Sequence, residues 1–260
     1  MLTLLLTRHG QAAAGDVMLG GQLDVPLLPR GREEAEALAR RLSGVRIDRI
    51  VSSPMLRALE TAQTIATGRP VEVDERLREL DYGRWEGLTY AEIDARDPEL
   101  RTRWEHDPAA THSPGGESGD DVAARALNFR VDLIEVEQSA ADGSPGPPGS
   151  PGSSGTPGPP GQRSGRHSPD PGGSRAIVSE AQAEAEGERR ALVVAHGTFN
   201  RILLCVALGI PVRDYRRRFL QDRVNLTVLR YERGDPPDGA QLILANDVGH
   251  LRSPDEAPWG

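Results

Sequence analysis

Apolar residues along this chain follow two spacings. Leu4-Leu5-Leu6, Asp48 to Ser52, Val71 to Val73 and Ala191 to Ala195 are short, apolar-rich runs, the pattern of strands buried on both faces. In Arg30 to Leu42 the period changes: Ala35, Leu38, Ala39 and Leu42 fall at i, i+3, i+4 and i+7, which predicts an amphipathic helix. Ser53-Pro54 predicts a helix start and a helix over 54–66, with Arg57 in its first turn. Two short helices at 89–97 and 98–106 are divided by Asp97-Pro98, and a long helix follows Gly115-Gly116-Glu117-Ser118 to about Glu137. A further helix, Phe199 to Leu208, stops at Gly209-Ile210-Pro211. Val224 to Tyr231 and Gln241 to Ala245 alternate as late strands, with a turn at Asp235-Pro236-Pro237. Residues 10–28, with four glycines, and 76–88 read as loops. Strands alternating with helices predict an α/β fold, a three-layer α/β/α sandwich around a mainly parallel sheet.

Residues 139–188 interrupt this pattern. From Gly143 to Arg163 glycine occupies every third position, with seven glycines and seven prolines in 21 residues. A collagen-type helix needs three chains in register; seven triplets beside a folded domain instead predict a disordered Gly/Pro-rich insertion. The expectation is one domain over 1–260 with 139–188 inserted into it.

Charge and composition narrow the partners. The 31 cations and 39 anions leave a formal charge of −8, which argues against nucleic acid. Every cation is arginine; without lysine, Schiff-base chemistry and a lysine-dependent phosphate loop are excluded. Cys205 is the only cysteine, so no intrachain disulfide forms and a reducing compartment fits. The apolar start, Met1 to Leu6, is shorter than a signal-peptide core, and Ile202 to Val212 is too short to span a bilayer. A cytoplasmic protein without a membrane partner is expected. Oligomeric state is left open, a dimer included.

The chemistry gathers at strand ends. Arg8-His9-Gly10 ends the first strand, Arg57 lies just past the second, and His196-Gly197 ends the strand at 191–195. Ligands of open α/β sheets sit beyond the carboxyl ends of the strands. If these three strands are neighbours, two guanidinium groups and two imidazoles meet around a space suited to a phosphoryl dianion. An imidazole flanked by arginines stays neutral and nucleophilic, while the remaining groups hold the equatorial oxygens during in-line attack. The leaving alkoxide needs a proton donor. Glu79, Asp81 and Glu86, all within Arg78 to Gly87, satisfy that need equally by spacing. A lone histidine at a strand end is ordinarily structural; two, each after an apolar strand and before glycine, favour function. His106, His112, His167 and His250 occupy polar or loop contexts and read as non-catalytic, Cys205 reads as core, and Tyr82 and Trp85 either cap a pocket or pack. No closely spaced His/Asp/Glu ligand set appears, so neither metal nor cofactor is expected.

These residues carry a family resemblance. Arg8-His9-Gly10, Ser52-Ser53-Pro54 with Arg57-Ala58 and Thr61-Ala62, Glu79 with Tyr82-Gly83 and Trp85-Glu86-Gly87, Gly115 to Ser118, Val193 to Gly197, Asn225 and Asn246 to Leu251 together resemble the histidine phosphatase superfamily, in its phosphoglycerate mutase-like branch. The resemblance covers nearly all of 1–138 and 190–251. It implies the phosphoglycerate mutase-like sandwich fold, a metal-free reaction on a small phosphorylated metabolite, a covalent phosphohistidine at His9, and Arg8, Arg57 and His196 around the phosphoryl group. It selects Glu79 as proton donor. Gly10, Gly21, Gln22, Tyr82 and Gly197 match positions around the substrate. Gly15 stands where many members carry asparagine. Glu79-Leu80-Asp81-Tyr82-Gly83 replaces the Glu-Arg-His-Tyr-Gly typical of the mutases. That difference favours a hydrolase over a phosphoglycerate mutase, with a non-catalytic phosphate-binding protein as the remaining alternative.

Overall fold

The computed structural model describes residues 1–13, 17, 20, 21, 23–141, 188–232, 234 and 239–252. Its frame is a six-stranded sheet ordered β3-β2-β4-β1-β5-β6. The strands are β1 (Leu2–Arg8), β2 (Arg49–Ser52), β3 (Glu72–Val73), β4 (Arg189–Ala195), β5 (Leu226–Tyr231) and β6 (Gln241–Asp247). The first four in spatial order run parallel; β5 is antiparallel to β1, and β6 to β5. The expected neighbourhood holds: β4 lies between β1 and β2.

Helices cover both faces. On one side α1 (Pro29–Arg41) and α2 (Leu56–Ala66) bury Leu38, Ala58, Ala62 and Ile65 against Leu5, Ile50, Leu192 and Val194. The other side carries α3 (Tyr90–Arg96), α4 (Pro98–His106), α5 (Gly119–Ala141) and α6 (Gly197–Ala207), with the short α7 (Tyr215–Arg218) beyond. There Trp104, Phe129, Leu133, Phe199 and Ile202 meet Leu4, Leu6, Val51, Val193 and Ala195. Successive residues of β4 thus serve opposite layers, which is why Ala191 to Ala195 is apolar at every position instead of alternating. Each large aliphatic side chain so enclosed contributes about 1.5–3 kcal/mol. Among the described residues no helix is long and apolar enough to cross a membrane.

Several boundaries differ from the sequence expectation for local reasons. α2 begins at Leu56, not Pro54: the Ser53 hydroxyl accepts the Met55 N–H at 3.3 Å, and the Asp24 carboxylate, from a distant loop, accepts the Leu56 N–H at 2.6 Å. α6 begins at Gly197, two residues early, because a carboxylate from elsewhere in the chain caps it. β5 begins at Leu226, not Val224. Val224 is buried in the left-handed region, φ 50°, and its N–H donates to the Arg8 carbonyl at 3.0 Å. Such a conformation costs a β-branched residue about 1–3 kcal/mol; here it turns the chain against the end of β1. A single 3-10 turn, Glu75–Leu77, straddles the start of the segment 76–88, and another, Gly83–Trp85, lies within it. The Gly/Pro segment, the turn at Asp235-Pro236-Pro237, Gly15, Gln22 and His167 lie outside the described residues.

Candidate active site

Strand register brings the two histidines together. Arg8 pairs with Ala195, so His9 and His196 leave adjacent parallel strands at the same level. The His9 N–H donates to the Ala195 carbonyl at 3.0 Å, and the two rings stand 5.2 Å apart at 60°. On the other side of β4, Ser52 pairs with Val194, which puts Ser53 beside His196: its hydroxyl lies 2.8 Å from His196 Nε2.

The His9 ring is fixed by its own backbone. Nδ1 lies 2.7 Å from the Gly10 carbonyl, which only accepts, so Nδ1 carries the proton and neutral His9 has its lone pair on Nε2. Gly10 allows this because the chain passes hard against α1: a Cβ there would collide with the Gly31 backbone. The Gly10 N–H donates to Thr61 Oγ1 at 3.1 Å, and that hydroxyl donates to the Arg57 carbonyl at 2.7 Å. Burial chiefly, then the Arg8 and Arg57 charges, hold the His9 pKa well below the ordinary imidazole value. His196 is depressed the same way, by burial first and Arg57 next. The charge argument made from sequence is therefore the lesser half of the cause.

Two arginines enter from different elements. Arg57, fully buried in the first turn of α2, donates to the Leu23 and Gly20 carbonyls at 2.8 and 3.0 Å and so pins the loop after β1. Arg8 donates to the Gln221 carbonyl at 2.9 Å, while its backbone N–H reaches Asn225 Oδ1 at 3.3 Å. Gly197 sits against the Arg8 guanidinium, 3.4 Å from where its Cβ would be. Among the described residues Arg8 Nε, Arg57 Nε and His196 Nδ1 are buried without a hydrogen-bond partner. Buried polar groups are ordinarily satisfied; three unmet nitrogens on the residues beside His9 suit the oxygens of an anion.

Glu79, Asp81 and Glu86 are separated by geometry. The Glu79 carboxylate caps α6, accepting the Thr198 and Phe199 N–H groups at 3.0 Å each, and the Leu80 N–H also at 3.0 Å. A carboxylate is favoured at a helix N-terminus. Asp81 instead accepts the Gly83 N–H at 2.7 Å, and Glu86 the Leu23 N–H at 2.8 Å. Tyr82 is buried with its hydroxyl 3.0 Å from Thr198 Oγ1; burial pushes its pKa well up. Gly21 is tied to the same segment, donating to the Leu80 carbonyl at 3.1 Å. Trp85 packs: it is fully buried and donates to Asp97 at 2.8 Å. His112 and His250 bond elsewhere, to the Gly116 carbonyl and to Arg41. Cys205 is core, its thiol pushed up to about 12 by burial.

Sequence reasoning quoted Ser53, Thr61 and Asn225 without giving them a role, and passed over Gln221, Thr198 and Arg125. Only the serine carried a signal, its position one residue past a strand.

A sheet with two histidines at adjacent strand ends, a buried Arg57, a partly buried Arg8 and a helix-capping glutamate carries the kinds of group that handling a phosphoryl group requires. The family model of the histidine phosphatase superfamily (branch 1) matches residues 4–141 and 173–238, well over half of the chain, and the chain belongs to that family. A glucosyl-3-phosphoglycerate phosphatase of Mycobacterium tuberculosis is 44% identical over 148 residues, 54% of this chain and 64% of that protein. Phosphoserine phosphatase 1 of Hydrogenobacter thermophilus is 36% identical over 132 residues, 50% of this chain and 63% of that protein. The chain thus spans less than two-thirds of the length of these curated relatives. The solved structure of a mycobacterial glucosyl-3-phosphoglycerate phosphatase in complex with VO3 is 30% identical, covers 94% of this chain and 98% of its own, and superposes with a TM-score of 0.67.

Proposed function

We propose that this chain is a phosphomonoester hydrolase acting on a small phosphorylated metabolite through a phosphohistidine at His9. The observation that carries the reading is the His9 ring: its Nδ1 proton is committed to the Gly10 carbonyl at 2.7 Å, so its free Nε2 lone pair is the nucleophile. Nε2 attacks phosphorus as the bond to the leaving oxygen breaks, and Glu79 gives that oxygen its proton. Arg8, Arg57 and His196 hold the equatorial oxygens through the nitrogens that lack protein partners. When the Ser53 hydroxyl donates to His196 Nε2, the His196 proton stays on Nδ1, one of those three donors. In the second step Glu79 takes a proton from water, the water oxygen bonds phosphorus, the P–N bond breaks, and phosphate leaves. Every proton and ligand in this scheme comes from side chains and water, so the reaction needs no metal. Gly10, Gly21, Tyr82 and Gly197 shape the wall around the leaving group.

The phosphatase names of the relatives favour hydrolysis over phosphoryl return to a second hydroxyl. We also read the Gly/Pro tract within residues 139–188 as an insertion into one domain, since the family model matches residues 4–141 and 173–238 on either side of it, and the single cysteine as fitting a cytoplasmic setting. The test is phosphate release from para-nitrophenyl phosphate by wild type and His9→Ala, with and without EDTA. EDTA-insensitive turnover that His9→Ala abolishes is expected; turnover persisting in His9→Ala overturns the assignment.

A further inference from the structure

The Gly115-Gly116-Glu117-Ser118 motif has no part in the chemistry above, yet its glutamate joins an arrangement centred on the acid. Arg125, on the first turns of α5, spends all its guanidinium nitrogens on two targets. Nε and Nη2 donate to the two Glu117 carboxylate oxygens, each at 3.0 Å. Nη1 donates to the Arg76 and Arg78 carbonyls at 2.6 Å each, and Nη2 also reaches the Glu79 carbonyl at 3.3 Å. Glu117 closes the loop on the far side: its carboxylate accepts the Asp81 N–H at 3.0 Å, and its own N–H donates to the Asp81 carbonyl at 2.8 Å. The segment 76–81 is therefore held on both sides of Glu79. The same guanidinium lies over the Phe199 ring, 5.4 Å from its centroid, and the Phe199 N–H is one of the donors that fix the Glu79 carboxylate.

We propose that the Arg125–Glu117 pair is a positioning device for Glu79, fixing the proton donor against the start of α6 without touching substrate. This rests on the reading of Glu79 as acid. The geometry favours it over a generic tie between helix and loop, because the bonds fall on the residues flanking the acid and on the residue that holds its carboxylate. A planar five-donor fork is needed to meet three carbonyls and a carboxylate at once. The pair is partly shielded, with side-chain exposures of 17% and 28%, so its bonds are less open to competition from water than those of a surface pair.

A misplaced acid harms substrates in proportion to their need of a proton. kcat/KM reports the steps through phosphoryl transfer to His9, so the later role of Glu79 as base does not enter it. The experiment measures kcat/KM of wild type, Arg125→Met, Glu117→Gln and Glu79→Gln on glycerol phosphate, whose alkoxide must be protonated, and on 2,4-dinitrophenyl phosphate, whose phenolate leaves unaided. Arg125→Met is expected to lose about 10²-fold on glycerol phosphate and no more than about threefold on the dinitrophenyl ester. Glu117→Gln should lose less with the same bias, and it serves alone if Arg125→Met does not fold. Equal losses on both esters, or no loss, overturn the proposal and leave the pair a structural tie. If Glu79→Gln itself shows no bias, the acid assignment falls and the positioning role with it; bias in Glu79→Gln without bias in the other variants removes only the positioning role.

Discussion

Ser53→Ala removes one hydroxyl, and with it two hydrogen bonds, at the centre of the site. Ser53 is fully buried, and its hydroxyl has two partners, His196 Nε2 at 2.8 Å and the Met55 N–H at 3.3 Å. Removing it leaves a buried ring nitrogen without a partner, which costs about 1–3 kcal/mol. At this chain length each kcal/mol moves the melting temperature by roughly 2–4 °C, so a fall of several degrees is expected. The catalytic effect has a different origin. With the serine gone, nothing selects the His196 tautomer with its proton on Nδ1, and the donor facing the phosphoryl oxygen is lost part of the time. The ceiling is the value of one transition-state donor, about 10²–10³ in rate. The assay is kcat/KM beside a thermal melt, for Ser53→Ala, His196→Ala and the double variant. Ser53→Ala should lose less than His196→Ala and add little to it, since the serine acts through the ring. Unchanged kcat/KM with a lowered melting temperature would refute the tautomer argument, as would full additivity with His196→Ala.

Arg57→Lys keeps the charge but cannot serve Leu23, Gly20 and an oxyanion together; a loss of about 10²–10³ in kcat/KM is expected, read by steady-state kinetics. His9 and His196 are buried and held neutral, whereas in the unfolded chain each gains a proton near pH 6.5. The unfolded state then binds more protons, so stability falls as pH drops below about 6.5, by up to about 1.4 kcal/mol per unit for each histidine. Urea midpoints above and below that pH check the sign, and His9→Gln should flatten the slope. For the same reason kcat/KM should show no protonation step near about pH 6.5 assignable to His9. Excising residues 142–187 should leave turnover of para-nitrophenyl phosphate intact; lost activity in a folded deletion variant would argue for more than a passive insert.

The sheet was legible because the centres of β1, β2 and β4 are buried on both faces, which leaves Leu4 to Leu6, Ile50-Val51 and Ala191 to Ala195 as unbroken apolar runs. The site was legible as far as it is written at strand ends: His9, His196 and Arg57 each follow an apolar run by a residue or a few. What the sequence did not disclose are contacts made across the fold. By spacing Glu79 could not be told from Asp81 and Glu86, and only the family resemblance chose it, because the distinction is which carboxylate meets the Thr198 and Phe199 N–H groups. The early start of α6 has the same cause. Asp24 capping α2 and Arg125 bridging three carbonyls are likewise properties of packing. The left-handed Val224 runs against local propensity and is sustained by its bond to Arg8 and its burial in the core.

The most direct test of the account is to trap the covalent intermediate. Wild-type protein mixed with para-nitrophenyl phosphate, quenched in alkali and digested, is expected to carry one phosphoryl group on His9, stable to base and labile to acid, and absent from His9→Ala. A phosphoryl group on any other residue, or none under conditions where an initial burst of nitrophenol shows that an intermediate has accumulated, would contradict it.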